Sequence, residues 1–350
     1  MEKIQKLIML MTKKNIDYCL ISDPKAISYF VGTSFSPGER FLCLKVRKDG
    51  ELVLYLNILF PYDETIRTHW YSDTDNPIVN LVKDLRGTVA IDKNLAAHFL
   101  IELFDLSKDV HFINGTVIDE VKAIKDHDER KKMIKVSMVN DEVMKEVAKL
   151  IEVGKSEEKL AEEIMQAFNR IGSEGESFPP IVAYQDHAAD PHGMPGNRTL
   201  KEGEAVVVDM GCVIDGYCSD MTRTFFVGYN SEKEIYDLVL KANLAAEAMI
   251  KPGVRFKDID KAARQVIEEA GYGQYFIHRL GHGIGMEVHE PFDVSATNDM
   301  IVEEGMCFSI EPGIYIKDRI GIRIEDLVLV TSDGVEVLNK YPKDQEVLIK

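Results

Sequence analysis

The sequence predicts an α/β domain followed by an α+β domain assembled from two similar halves. Three observations lead there. The first third of the chain alternates strand-like and helix-like segments, and the remainder repeats one helix-helix-strand-pair order. Each copy of that strand pair also carries a carboxylate at a matching place. At 350 residues, 45% hydrophobic and 29% charged, the chain is a globular one, long enough for two domains and a sizeable core.

In the first third, "DYCLIS" (17–22) has the apolar run of a strand and "DPKAISYF" (23–30) that of a short helix opening on Asp-Pro. "RFLCLKV" and "ELVLYLNILF" form a strand pair around the turn "RKDG". "TVAIDK" is a strand, "NLAAHFLIELFDL" a helix and "HFINGT" a strand. The charged segment "KAIKDHDERKKMIKV" then opens a long helix. The boundary is placed there, giving an α/β domain over 1–118 and a second domain over 119–350.

The second domain starts with helices at 127–152 and "SEEKLAEEIMQAFNRI", followed by a strand-rich section ending in "KEGEAVVVDMGCVIDGYCSDMTRTFFVG". The same order then returns. Ser231 and Glu234 suit a capping box for "SEKEIYDLVLKANLAAEAMI". "FKDIDKAARQVIEEAG" is the next helix, and "EEGMCFSIEPGIYIKDRIGIRIEDLVLVT" the next strand pair. Laying Glu202-Gly203 on Glu304-Gly305 places Asp209 on Glu311 and Gly211 on Gly313. Two such halves, packed face to face, bring their carboxylates together.

An aspartate closing the apolar strand "AVVVD" is costly unless paired or metal-bound. Asp209 and Asp220 flank a turn at Asp215-Gly216. A two-residue turn there pairs Asp220 with Gly211, so both carboxylates project from one pleated face. Glu311 and Glu325 share a face by the same period-two argument. Four carboxylates in an apolar setting repel one another, and two divalent cations balance them. Oxygen-rich ligation favours manganese first, with cobalt, iron or zinc as alternatives. The stretch "RLGHGIGMEVHE" offers the neutral imidazole that completes such a set. His282 is the expected ligand and His289 a donor to substrate, and the glycines around His282 are expected to let the backbone lie against the metal pair.

Composition excludes other classes. With 42 basic against 59 acidic residues, a net −17, no nucleic-acid partner is expected. Five scattered cysteines in apolar runs suit buried free thiols in a reducing cytoplasm. No signal peptide and no stretch of transmembrane length is found, so no membrane partner is expected. In "GHGIG" the third glycine is misplaced for a dinucleotide fingerprint, and no strand-turn-helix context fits.

The set of Asp209, Asp220, His282, Glu311 and Glu325 resembles that of the metal-dependent pita-bread peptidases: methionine aminopeptidase, aminopeptidase P and prolidase, with creatinase as a metal-free relative. The resemblance spans the whole chain, including a creatinase-type N-terminal domain. It implies that Asp209 in "VVVDMG" ligates one metal, that Asp220 in "CSDMTRT" and Glu325 in "RIED" bridge, and that His282 in "GHGIG" and Glu311 in "SIEPG" ligate the other. His192 in "DPHG" and His289 in "VHE" match the histidines that handle the scissile carbonyl. Arg323 matches a supporting arginine and His278 an outer histidine. The implied activity is two-metal hydrolysis of the N-terminal Xaa-Pro bond of short peptides, with Glu311 passing the proton to the leaving nitrogen. A homodimer is what the family suggests. Methionine aminopeptidase-like activity and a non-catalytic scaffold of the same fold are the alternatives, and the intact ligand set argues against the second.

The resemblance breaks at "HEPFD", where Pro291 directly follows Glu290 and family members usually have a residue between. Prolidases carry past that proline an arginine for the free carboxylate of a dipeptide. Asp293, near that position here, is expected to repel it, which points to longer peptides. Glu39 and Arg40 in "SFSPGERF" resemble a loop that reaches the active site in some bacterial dipeptidases, which points the other way.

Overall fold

The computed structural model describes residues 2–63, 65–229, 232–343 and 347–348. It divides into two compact units, Met1–Lys122 and Ala123–Lys350. The first contains helix α1 (Glu2–Lys13), strand β1 (Tyr18–Ile21), helix α2 (Pro24–Val31), and strands β2 (Cys43–Arg47), β3 (Leu52–Asn57) and β4 (Thr68–Tyr71). Helix α3 (Pro77–Val82), strand β5 (Gly87–Ile91), helix α4 (Ala97–Leu106), strand β6 (Val110–Asn114) and helix α5 (Thr116–Ala123) complete it. Its six strands form one mixed sheet in the order β4-β3-β2-β1-β5-β6. The division falls at the end of α5, later than the expected cut at 118/119, because that helix runs through the cut.

Local chemistry accounts for these elements. Asp23 caps α2, its carboxylate accepting from Ala26 N at 2.8 Å, with Pro24 at the first helical position. Helices α1 and α3 and strand β4 go beyond the expected set. In α1, Ile4, Leu7 and Met11 are buried at helical spacing, but further apolar residues between them blur the period. Strand β4 is a short edge strand, mostly half-buried, which leaves little alternation to read.

The second unit opens with helices α6 (His127–Leu150) and α7 (Glu157–Arg170), then strands β7 (Ile181–Tyr184), β8 (Ala205–Met210), β9 (Val213–Ile214), β10 (Tyr217–Cys218) and β11 (Met221–Val227). Its second half contains helices α8 (Lys233–Met249) and α9 (Phe256–Glu269), then strands β12 (Gly281–Gly283), β13 (Glu290–Val294), β14 (Cys307–Ile310), β15 (Gly313–Ile316), β16 (Ile320–Arg323), β17 (Asp326–Val330) and β18 (Val335–Val337). A last short strand, β19 (Val347–Leu348), runs parallel to β11. Asp126 and Glu129 build a full capping box at the start of α6. The capping box expected at Ser231 lies outside the described residues.

Neighbouring residues of the central strands serve different cores. Phe225, Cys307, Leu327 and Leu329 pack with α6 and α7, while Phe226, Phe308, Val328 and Val330 pack with α8 and α9. Strands covered on both faces read as continuous apolar runs, so any acid among them stands out. All five cysteines are buried thiols. Among the described residues, no helix is long and apolar enough to cross a membrane.

The halves are stitched by a buried cation. Arg223 donates to Asp326 Oδ1 at 2.7 Å, Glu325 O at 2.6 Å, Tyr341 O at 2.8 Å and Pro342 O at 3.1 Å. Breaking such a pair from one side strips donors from several buried acceptors at once. Arg223→Met is therefore expected to lower the unfolding free energy by about 3–5 kcal/mol, read from urea melts. A loss under about 1 kcal/mol would show that the carbonyls find other donors.

Candidate active site

Strands β8 to β11 form one continuous antiparallel register. Met210 pairs with Met221 and Ile214 with Tyr217, around Asp215 and Gly216 at φ 51° and 73°. That is a two-residue turn with both central residues left-handed. Extending the register sets Asp220 opposite Gly211, the position the sequence implied. Asp209 and Asp220 thus share a face, and both are buried.

In the second half, Ile310 pairs with Asp326 and Gly313 with Arg323, a register that sets Glu311 across from Glu325. Glu325 N donates to Thr222 O at 3.1 Å, which joins this hairpin to β11. The carboxylates converge through that junction. His282 enters from β12 and is held by two bonds. Its N–H donates to Ser309 Oγ at 3.0 Å, and its Nδ1 lies 3.1 Å from Gly283 O. A carbonyl only accepts, so Nδ1 carries the proton and Nε2 is bare. That nitrogen stands 3.4 Å from Glu311 Oε1 and 3.7 Å from Asp220 Oδ2. Burial first, then His289, pushes the His282 pKa down to about 3, so the ring is a neutral ligand at pH 7.

The glycines beside His282 do a different job from the one expected. A Cβ at Gly281 would collide with the Ser309 carbonyl, and one at Gly283 would come 3.0 Å from Glu290 O. One at Gly285 would come 2.6 Å from Glu290 Oε2. They admit protein neighbours, chiefly strand backbone and the Glu290 carboxylate, which in turn accepts from Lys125 Nζ at 2.8 Å.

Electrostatics confirms crowding among the acids. Asp220 and Glu325 are held well above the ordinary carboxyl range by burial and then by the neighbouring carboxylates. Glu311 is pushed up to about 7, chiefly by burial. Arg323 opposes this, donating to Asp209 Oδ2 at 2.7 Å. Its Nε also donates to Thr222 Oγ1 at 3.0 Å, and that hydroxyl donates onward to Glu325 Oε2 at 2.8 Å.

One donor atom each from Asp220, His282 and Glu325 lies within 4.8 Å of the others, a spacing one cation can bridge. Glu311 joins them through its contact with His282. Asp209 lines the same pocket with one oxygen committed to Arg323. Among the described residues, the buried Oδ1 atoms of both Asp209 and Asp220 have no hydrogen-bond partner. Orphaned carboxylate oxygens, crowded acids and a bare imidazole nitrogen fit divalent metal ions.

These groups floor a pocket of about 590 Å³, also lined by His192, His278, Arg279 and His289. The His289 ring is exposed and meets His282 edge-to-face, centroids 4.3 Å apart. His278 lies behind, its Nδ1 2.6 Å from Arg279 O and its Nε2 3.0 Å from the Tyr315 hydroxyl. Tyr315 accepts from Arg323 Nη1 at 2.9 Å, so its proton is free to go to His278. Tyr315, Thr222 and Ser309 were not singled out from the sequence. The period-two rule contains the signal: Thr222 follows Asp220 by two, Tyr315 follows Glu311 by four, and Ser309 precedes it by two.

A carboxylate-imidazole set at the floor of an open pocket is the site of a metal-dependent hydrolase. Residues 131–332 match the model of metallopeptidase family M24, and residues 3–124 that of the creatinase/prolidase N-terminal domain. An uncharacterised peptidase of Staphylococcus aureus (strain MW2) is 39% identical, over 98% of this chain and all of that one. The prolidase of Pyrococcus horikoshii OT3 superposes with a TM-score of 0.89 at 32% identity, over 99% of this chain and 100% of that one. The X-Pro aminopeptidase of Thermotoga maritima gives 0.81 at 28%, over 96% and 98%. The chain belongs to metallopeptidase family M24 and pairs a creatinase-type N-terminal domain with a pita-bread catalytic domain.

Proposed function

We propose that the protein is a dinuclear-metal exopeptidase that hydrolyses the N-terminal Xaa-Pro bond of short peptides, dipeptides included. One observation carries the reading: four carboxylates and a neutral imidazole line one pocket, with two carboxylate oxygens left unpartnered among the described residues. Asp209, Asp220, His282, Glu311 and Glu325 are assigned to two divalent ions, manganese first among them, with Asp220 and Glu325 shared. When bound, the ions supply an activated water and a Lewis acid for the peptide carbonyl. Arg323 restrains Asp209 directly and Glu325 through Thr222. Glu311 faces the pocket and is assigned the proton that must reach the leaving proline nitrogen. The exposed rings of His192 and His289 are assigned to the substrate carbonyl, where a neutral imidazole N–H stabilises developing negative charge.

The argument from Asp293 against dipeptides loses its force. Asp293 is ion-paired with Arg279, and of the two residues Arg279 is the one that lines the pocket. A substrate carboxylate arriving there meets an ion pair with its arginine on the pocket side and not a bare carboxylate, which removes the objection to the dipeptidase reading. The prolidase likeness supports it, and the aminopeptidase likeness keeps the longer substrate in view.

The test is release of the first residue from Leu-Pro and from Leu-Pro-Ala by manganese-reconstituted protein, beside a chelated control. Cleavage of Leu-Pro, lost on chelation, is expected. Cleavage of the tripeptide alone would move the assignment to an Xaa-Pro aminopeptidase. Silence on both with metal bound would remove the proline-specific reading, and release of methionine from Met-Ala-Ser would then favour the methionine aminopeptidase alternative.

A further inference from the structure

His192 has an exposed ring, so its place depends on the loop that carries it. That loop leaves β7 at Tyr184 and returns to the start of α7 at Gly196. A single carboxylate ties both ends. Glu157, the first residue of α7, has a fully buried side chain. Its Oε1 accepts from Tyr184 N at 2.8 Å, and its Oε2 from Gly196 N at 3.1 Å. His187, near the start of the loop, directs Nδ1 at both oxygens, 2.9 and 2.8 Å away. Carboxylate oxygens only accept, so this nitrogen is the donor.

The return strand is fastened to the same helix end. Glu157 N and Glu158 N, two of the four amides an α-helix leaves unpaired at its start, donate to Arg198 O at 3.1 Å and Gly196 O at 3.0 Å. At the tip, Asp190 Oδ1 accepts from His192 N at 3.1 Å. Neither Glu157 nor His187 lines the pocket. A buried carboxylate is retained against its desolvation cost only when its acceptors are filled, and here the loop fills them.

We propose that Glu157, with His187 as its partner, is a positioning residue for the reaction: it fixes the loop that presents His192 to substrate. This rests on the Xaa-Pro peptidase reading, in which His192 meets the substrate carbonyl.

The test is a double-mutant cycle in the manganese-loaded enzyme, comparing Glu157→Ala, His192→Ala and the double variant on Leu-Pro, with metal content and melting temperature measured in parallel. Glu157→Ala should lower kcat/KM by about 10- to 100-fold, the scale of a misplaced group, with metal content unchanged. The double variant should match His192→Ala alone, because a loop without its imidazole has nothing left to position. Equal losses in both backgrounds would show that Glu157 acts on the fold at large and would overturn the proposal. A fully active His192→Ala would overturn the role of His192 itself, and the proposal with it. Should Glu157→Ala fail to fold, His187→Ala enters the same cycle, since its ring is half-exposed. His187→Asn, whose amide keeps a donor for the carboxylate, should regain most of what His187→Ala loses; no recovery would also count against the proposal.

Discussion

Asp220→Asn is expected to lose its metal and its peptidase activity together. The amide keeps the size of the carboxyl but removes the charge at the centre of the Asp220-His282-Glu325 group. Metal affinity should fall by more than about 100-fold, beyond the usual effect of an outer-shell change, read by metal analysis after dialysis. Unfolding must be separated from ligand loss. Burial and then Glu325, Asp209 and Glu311 hold the Asp220 carboxyl well above its ordinary range. A carboxyl raised in this way favours the fold at low pH and opposes it as pH climbs past the ordinary carboxyl range. At pH 8 the metal-free variant should therefore melt no lower than the metal-free parent. A variant that keeps its metal would remove Asp220 from the ligand set.

His289→Ala should separate metal from turnover. Its ring touches His282 edge-to-face and lines the pocket. Desolvation in the pocket, then Arg279 and His192, lowers its pKa, so the neutral ring offers an N–H donor at pH 7. Losing one donor to a developing oxyanion costs kcat about 10²- to 10³-fold. Because the side chain is exposed, stability should stay within about 0.5 kcal/mol of the parent. Metal content should equal that of the parent. Loss of metal in this variant would make His289 a ligand and displace its assignment to substrate.

The acids were legible because they fall at matched places in strand-like segments. Asp209 closes "AVVVD", and Asp220, Glu311 and Glu325 follow from it by the repeat and the period of two. The turn Asp215-Gly216 carried the register, and the register carried the shared face. The groups that position these acids were less visible. Thr222 and Ser309 look like ordinary strand residues, and Tyr315 like a core aromatic. Their role depends on hydroxyls that meet partners from the other half of the fold. The surroundings of Asp293 were hidden for the same reason: its charge is written in the chain, but the guanidinium of Arg279 that pairs with it is brought opposite by the pairing of β12 with β13.

The sequence by itself determined the two-domain α/β and α+β classes, the duplicated order of the second domain and the identity of the charged residues within apolar strands. These depend on local periodicity, turn chemistry and burial preference, all properties of short segments. Only the tertiary structure decided that "GHGIG" is bare to admit the Ser309 carbonyl and the Glu290 side, that Arg323 reaches Asp209, and that Glu157 holds the loop of His192. Each of these is a contact between distant segments, set by how sheets and helices pack, and no window of neighbouring residues contains both partners.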